Sequence, residues 1–283
     1  MRDKILVGDI GGTNSRVGIV ENNKILSAKK FPTTKENLEK HLKEYIKKYK
    51  IKGVCLACAG PKNENQIKLT NNDLILNKKR LKKKLGKEVI LINDFEALGY
   101  YAKYKKVKKG LVIGAGTGLG KVFVDKNVTS SEGGEVEIPF KLKEKEYQEY
   151  FTKKCKKAPT YECLVSGNGL INLKKFHSKK KLKKTEIEPE NIFLNKKEKT
   201  NEKTIRDFSK FLGRFIKNSY IDFNCEKILL AGGIIKKHPW IIKNKEFVEE
   251  LKQDFMKQPK ITIIKEKHPA LVGAYVAYKE LKK

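Results

Sequence analysis

The feature that most constrains this chain is a strand–glycine turn–strand unit that occurs twice. Ile5-Leu6-Val7 runs into Gly8-Asp9-Ile10-Gly11-Gly12-Thr13-Asn14, and Arg16-Val17-Gly18-Ile19-Val20 runs out of it. Later, Gly110-Leu111-Val112-Ile113 enters Gly114-Ala115-Gly116-Thr117-Gly118-Leu119-Gly120, and Lys121-Val122-Phe123-Val124 leaves. Apolar strand-like runs and helix-period segments alternate after each unit. That pattern implies an α/β fold with a duplicated lobe. A length of 283 residues accommodates two lobes or one large α/β unit.

Turns of this kind suit phosphate. Glycine lets backbone N–H groups crowd onto an anion with no Cβ in the way, and threonine hydroxyls add donors. Neither turn is a P-loop, because Ala115 stands where the first glycine is needed and Val122 follows Lys121. Neither is a dinucleotide fingerprint, because each leads into a strand and not a helix. Asp9 brings a carboxylate to the first turn, which suits Mg²⁺ held through water. Gly232-Gly233, after the run Leu229-Leu230-Ala231, repeats the device without a charge. It fits close approach to adenine or ribose, or equally a glycine pair that merely starts a helix.

A second constraining stretch is Val89-Ile90-Leu91-Ile92-Asn93-Asp94-Phe95-Glu96-Ala97-Leu98. A buried strand breaks at Asn93-Asp94 and continues with helical spacing. Asp94 therefore sits at a strand's C-terminal end and a helix's N-terminus, where α/β proteins place chemistry. Taken alone, it reads as a helix cap. The helix dipole there favours an ionised carboxylate.

Thr33-x-x-Glu36 reads as a capping box ahead of a helix that buries Leu38, Leu42, Tyr45 and Ile46. Gly53–Ala59 reads as a buried strand, and Asn77–Leu85 as a lysine-rich helix. Further helices are expected over Glu144–Lys154, Thr160–Phe176, Thr204–Phe223, Lys245–Met256 and Pro269–Leu281. Lys174–Lys184 reads as a solvated helix end or loop.

The formal charge of +31 raises the question of nucleic acid. The only arginines are Arg2, Arg16, Arg80, Arg206 and Arg214; the excess is lysine, spread along the whole chain. Recognition of phosphate or base edges draws on the arginine fork, so a nucleic-acid partner is disfavoured. Attraction of anionic nucleotides is the simpler consequence. Five cysteines, an odd number, point to reduced thiols. Cys55-Leu56-Ala57-Cys58 has C-x-x-C spacing but lies inside an apolar run, with no second pair to complete a zinc site. No apolar run is long enough for a membrane span or a signal peptide. The expected location is the cytoplasm.

Taken together, the motifs resemble one family. Gly8-Asp9-Ile10-Gly11-Gly12-Thr13-Asn14-x-Arg16, Thr70-Asn71, Ile92-Asn93-Asp94-Phe95, Gly114-x-Gly116-Thr117-Gly118-Leu119-Gly120, Glu132-Gly133-Gly134, Glu162 with Ser166-Gly167-x-Gly169-Leu170, and Ala231-Gly232-Gly233-Ile234 stand in the order of the bacterial-type glucokinases. The likeness runs from about Ile5 to the last helix, where His268-Pro269-x-Leu271-x-Gly273 also resembles the family's ending. It places the chain in the hexokinase and actin-like ATPase superfamily. It implies two lobes of duplicated ribonuclease H-like fold with a cleft between them. The small lobe would be 1–104 plus 266–283, the large lobe 105–265.

The resemblance also implies the chemistry: ATP-dependent phosphorylation of glucose at its 6-hydroxyl, a reaction of glycolysis. Asp94 would be the general base. Asn93, Glu132 and Glu162 would hydrogen-bond sugar hydroxyls, with Asn71 a further contact. Asp9 would hold Mg²⁺ through water. Gly11, Gly12, Thr13 and Asn14, with Gly116, Thr117 and Gly118, would hold the ATP phosphates, and Gly232-Gly233 the adenosine. Glu135 stands where the family usually has a sugar-binding histidine, which leaves another hexose or an amino sugar open as substrate. The Cys/His zinc motif of the related ROK kinases is absent, so the resemblance is to the non-ROK branch. A homodimer is compatible with the reading. An actin- or chaperone-like ATPase would need the nucleotide turns but not Asn93-Asp94, Glu132 or Glu162. A sugar-responsive repressor would need an added helix-turn-helix, for which a first strand starting near Lys4 leaves no room.

Overall fold

The computed structural model describes residues 3–178 and 187–282. Residues 179–184 of the expected lysine-rich loop lie outside the described residues. The chain divides into two compact units. The first comprises Met1–Lys108, Val122–Ser130 and Glu266–Lys283, and the second Lys109–Lys121 and Ser131–Lys265. The sequence reading breaks the chain once near 104 and returns at 266; the units of the structure also exchange the short stretch Val122–Ser130.

The elements run β1 (Ile5–Ile10), β2 (Asn14–Glu21), β3 (Lys24–Pro32), α1 (Lys35–Lys48) and β4 (Gly53–Cys58). A small ribbon comes next, β5 (Lys62–Asn63), β6 (Gln66–Lys68) and β7 (Ile75–Asn77), then α2 (Lys78–Leu85), β8 (Glu88–Asn93) and α3 (Asp94–Tyr104). Beyond these lie β9 (Gly110–Ala115), β10 (Leu119–Val124), β11 (Val128–Ser131), α4 (Lys145–Cys155), α5 (Gly167–His177), α6 (Pro189–Leu194) and α7 (Lys199–Phe223). The chain finishes with β12 (Lys227–Ala231), α8 (Gly233–Lys237), α9 (Lys245–Leu251), β13 (Lys260–Ile263) and α10 (Pro269–Leu281).

The first sheet has the order β3-β2-β1-β4-β8. β1 is antiparallel to β2 and parallel to β4, which is parallel to β8. β4 is buried along its whole length, as a parallel strand covered on both faces must be. One face packs Leu6, Ile10, Val54, Leu56 and Cys58 against Leu38, Leu42 and Tyr45 of α1 and Leu81 and Leu85 of α2. The other packs Ile5, Val7, Cys55, Ala57 and Ile92 against Ala97 and Tyr100 of α3 and Leu271, Ala274 and Tyr278 of α10. Cys55 and Cys58 thus point to opposite faces and cannot share a ligand. α10 crosses α3 so closely that a Cβ on Gly273 would stand 1.7 Å from the carbonyl oxygen of Ala97.

The second sheet has the order β11-β10-β9-β12-β13, with β12 parallel to β9 and β13. Counted in chain order, the strands of each sheet lie in the sequence 3-2-1-4-5. The long helix α7 buries Phe208, Phe211, Leu212 and Phe215, and Gly213 admits the backbone of Phe247 on α9. Arg214 is buried on the same helix. Its guanidinium forks onto Glu144 (2.6 and 2.8 Å) and onto Glu250 (2.9 and 3.1 Å).

Several local expectations change. α7 begins at Lys199, ahead of the expected Thr204, and α9 ends at Leu251, short of the expected Met256. The helix expected over 160–176 is a 3₁₀ turn, Tyr161–Cys163, succeeded by α5 from Gly167. The Ser166 hydroxyl breaks the run, accepting from the Gly169 N–H at 2.9 Å as a new N-cap. At α1 the cap is Thr34 and not Thr33: Thr34 Oγ1 accepts from Asn37 N–H at 3.1 Å. Thr33 is used elsewhere.

Candidate active site

In the first unit, three parallel strands end in register at one edge: Ile10 pairs with Cys58, and Cys58 with Asn93. β1 leads into the turn Gly11-Gly12-Thr13, β4 into Ala59-Gly60, and β8 directly into α3. Ligands of parallel sheets gather outside such carboxyl ends. The turn holding Asn71 joins the same edge, because Thr70 N–H donates to Ala59 O at 2.8 Å. Asn71 is exposed and sits in the left-handed region, φ 59°.

The Asn93-Asp94 pair divides its labour. Asn93 is the N-cap: its Oδ1 accepts from Phe95 N–H at 2.8 Å, and Glu96 Oε2 accepts from Asn93 N–H at 3.1 Å. Asn93 Nδ2 donates to Gly60 O at 3.1 Å, which ties the β8 end to the β4 end. Asp94 is the first helical residue and is half-buried. The capping task that Asp94 could have served is therefore taken by its neighbour. Asn93 retains one amide hydrogen and one lone pair beyond these bonds.

The first glycine turn is braced by Thr33, expected from the sequence as a helix cap, and by Asn72, for which no role was read from the sequence. Thr33 Oγ1 donates to Gly11 O at 2.7 Å, and Thr33 N–H to Thr13 O at 3.0 Å. Asn72 Nδ2 donates to Gly12 O at 2.7 Å. All three turn carbonyls are thus held by donors, so the turn does not aim those acceptors at an incoming anion. Gly12 has no room for a side chain, since a Cβ would lie 2.4 Å from Thr70 O. Asn14 and Thr13 are exposed at the tip.

Asp9 faces Arg16 across the β1–β2 pair, with a nearest approach of 3.8 Å. Its side chain keeps 36% of its surface open. Burial pushes its carboxyl above the ordinary value, against the pull of Arg16. Arg16 belongs to the motif but drew no role from sequence; it is the cation that pairs with the glycine turn's acid.

In the second unit, Glu162 lies against the second glycine turn. Its Oε2 accepts from Leu119 N–H at 2.8 Å, and a Cβ on Gly118 would meet that oxygen at 2.7 Å. Gly116 O accepts from Gly167 N–H at 2.8 Å, so the turn is also fixed to the start of α5. Thr117 is exposed at its tip. Burial pushes the Glu162 carboxyl up; the Leu119 bond opposes this, and the charges of Glu135 and Glu132 add to it. The three glutamates therefore share one electrostatic neighbourhood. Glu132 opens a 3₁₀ turn whose glycines are forced by packing: a Cβ on Gly134 would stand 2.1 Å from Leu119 O, and one on Gly133 would strike the Lys121 side chain. Glu135 turns outward into an ion pair with Lys157 at 3.5 Å.

Gly232 is explained by geometry at the end of β12. Its φ is +96°, and a Cβ would lie 2.1 Å from the carbonyl oxygen of Ala115. Gly233 is open, with nothing near its Cβ position.

A profile of the family described as Glucokinase matches residues 6–281. A glucokinase of Erwinia tasmaniensis is 28% identical, over 95% of this chain and 95% of its own. The glucokinase of Balamuthia mandrillaris, solved in complex with glucose, superposes with a TM-score of 0.82 at 22% identity, covering 98% of this chain and 94% of that one. A ROK-family glucokinase of Streptomyces griseus, solved with glucose and AMPPNP, gives 0.73 at 17% identity over 96% and 97%. The structural likenesses establish a shared fold. The profile spans both glycine turns and the acidic residues beside them, and by that match the chain belongs to the glucokinase family.

Proposed function

We infer that this protein transfers the γ-phosphoryl group of ATP to the 6-hydroxyl of glucose, giving glucose 6-phosphate and ADP. The observation that carries the reading is the parallel-strand edge of the first unit. There a braced glycine turn follows β1 and Asp94 follows β8, the two strands that flank β4, in a chain of this family. The glucose and AMPPNP bound by the Streptomyces griseus protein support the same pair of substrates here.

Asp94 accepts the proton of the 6-hydroxyl as that oxygen attacks the γ-phosphorus. Its position in the first turn of α3 favours the ionised form a base needs. Phosphoryl transfer asks mainly for positioning and charge neutralisation, and the two glycine turns supply backbone donors for both. Glu132 and Glu162 accept hydrogen bonds from sugar hydroxyls; Asn93 and Asn71 add amide groups. Gly232-Gly233 lies beside the nucleoside. Bound with ATP, Mg²⁺ neutralises the phosphate charge. Asp9 fits a water-mediated hold on it, being partly open and carrying a charge that its surroundings disfavour and a cation would restore. The common strand order of the two sheets supports a duplicated ribonuclease H-like lobe, with 1–104 plus 266–283 small and 105–265 large.

A second reading, a kinase for another hexose or an amino sugar, is favoured by Glu135. An ionised glutamate only accepts hydrogen bonds, whereas a neutral histidine also donates, and this glutamate is drawn to Lys157. A sugar panel with MgATP and a coupled ADP readout separates the two. Glucose is expected to give the highest kcat/KM. A higher value for another sugar favours the second reading, and ADP release independent of sugar removes both.

A further inference from the structure

Three of the five cysteines are buried: Cys55, Cys58 and Cys225. The other two, Cys155 and Cys163, are partly exposed, and their sulfurs stand 3.6 Å apart. Cys155 ends α4, and Cys163 ends the 3₁₀ turn that carries Glu162. The two segments are held together without the sulfurs. Asn172 of α5 donates through Nδ2 to Cys163 O at 2.8 Å and accepts through Oδ1 from Lys154 Nζ at 2.6 Å. Ser166 Oγ donates to Glu162 O at 2.8 Å, fixing the turn to the start of α5.

We propose that Cys155 and Cys163 are a modification site: a dithiol that closes to an intramolecular disulfide when it meets a small disulfide such as oxidised glutathione. One cysteine loses its proton to solvent, and its thiolate attacks a glutathione sulfur. The glutathione S–S bond breaks, a mixed disulfide forms and one glutathione leaves. The second cysteine, deprotonated in turn, attacks the protein sulfur of that mixed disulfide and expels the second glutathione. Two protein thiols are oxidised by two electrons, and one glutathione disulfide is reduced to two thiols. Sulfurs already in van der Waals contact need close by only about 1.5 Å to reach bonding distance. Burial and the neighbouring thiol push the Cys155 thiol up to about 11, while Lys154 and Lys157 pull it down. Closure is therefore faster at alkaline pH.

The bond has a consequence for the turn. Cys163 comes directly after Glu162, and Glu162 is bonded to Leu119 beside the second glycine turn. Drawing Cys163 toward α4 displaces the Glu162 carboxylate. This part rests on the reading of Glu162 as a sugar contact; the disulfide itself does not.

The test treats the full-length protein at pH 8.5 with oxidised glutathione, quenches with acid and measures intact mass, mapped peptides and glucose kinetics. The expected product has lost two hydrogens, carries no glutathione and yields a peptide linking Cys155 to Cys163. Its KM for glucose rises severalfold and is restored by dithiothreitol. Cys163→Ser and Cys155→Ser should each retain one glutathione on the remaining cysteine. A wild-type protein that keeps glutathione on both cysteines, or leaves both as thiols, overturns the site. A linked product with unchanged glucose KM overturns the effect through Glu162 and leaves the disulfide standing. Absence of glucose phosphorylation in the reduced protein overturns the kinase reading and does not touch the mass result.

Discussion

Two neighbouring residues, each of a type that caps helices, meet at Asn93-Asp94, and only one of them caps. Because Asn93 Oδ1 holds the α3 N-terminus, replacing Asp94 leaves the cap intact. Asp94→Asn is therefore expected to fold normally and to lower kcat by about 10²–10⁴-fold, the usual worth of a positioned base, with little change in KM for sugar or ATP. Near-normal turnover would refute the base assignment. Glu162 makes a second residue-scale prediction. Its carboxyl lies above the ordinary value of 4.5, and ionisation frees both oxygens to accept from sugar hydroxyls, whereas the protonated acid turns one of them into a donor. The acidic limb of kcat/KM for glucose should thus lie above that value and move to lower pH in Glu162→Gln, where only the base Asp94 remains to be protonated. An acidic limb at or below the ordinary value would argue against the assignment. Asp9 and Asp94 were legible in the sequence because each stands next to a glycine turn or a strand end; Glu132 and Glu162 were reached only through the family resemblance. Thr33 and Asn72 were not, since their bonds to the first turn span 22 and 60 residues. Local pattern instead made Thr33 look like a cap, a task its neighbour Thr34 performs.

At the scale of elements, apolar periodicity located most strands and helices, because burial on one or two faces leaves a local trace. It failed where a side chain interrupts the period, as Ser166 does between the 3₁₀ turn and α5. It also could not say which face Cys55 and Cys58 occupy, since a run apolar on both sides looks alike from either. The crossing of α3 and α10 is sharper in the structure than any pattern suggests. Gly273 has no room for a methyl group against Ala97 O, so Gly273→Ala must push the helices apart. Overpacking of this kind costs about 3 kcal/mol, measurable as a lower midpoint in urea. An unchanged midpoint would mean that the crossing yields without strain. The partners of Arg214 are equally silent in sequence, lying 70 and 36 residues away.

For the whole molecule, the pH dependence of stability has two opposed parts. Burial alone would raise the Glu144 carboxyl, but the Arg214 fork, the Lys141 N–H bond and the charge of Lys210 outweigh it and hold it at about 2. Glu250 is likewise lowered against the burial that would raise it, chiefly by bonds to Arg214 and Lys141. A depressed acid stabilises above its unfolded value, and that contribution is lost as pH falls through the folded one. Asp9 and Glu162 are raised, so their contribution is present below the unfolded value and is lost as pH rises through the folded one. Stability is therefore expected to fall steeply in strong acid. Glu144→Gln should flatten that fall while lowering stability near neutrality; an unchanged acid slope would show that the Arg214 cluster is not its source. The path of the chain has a further consequence, in time. The face of the first sheet formed by Ile5, Val7, Cys55, Ala57 and Ile92 is closed by α10, which is translated long after β8. At ordinary synthesis rates that gap is roughly 10–35 s. During the interval an apolar sheet face waits on the nascent chain, so the element made first is completed last, and chaperone demand on the ribosome should fall on this half of the protein.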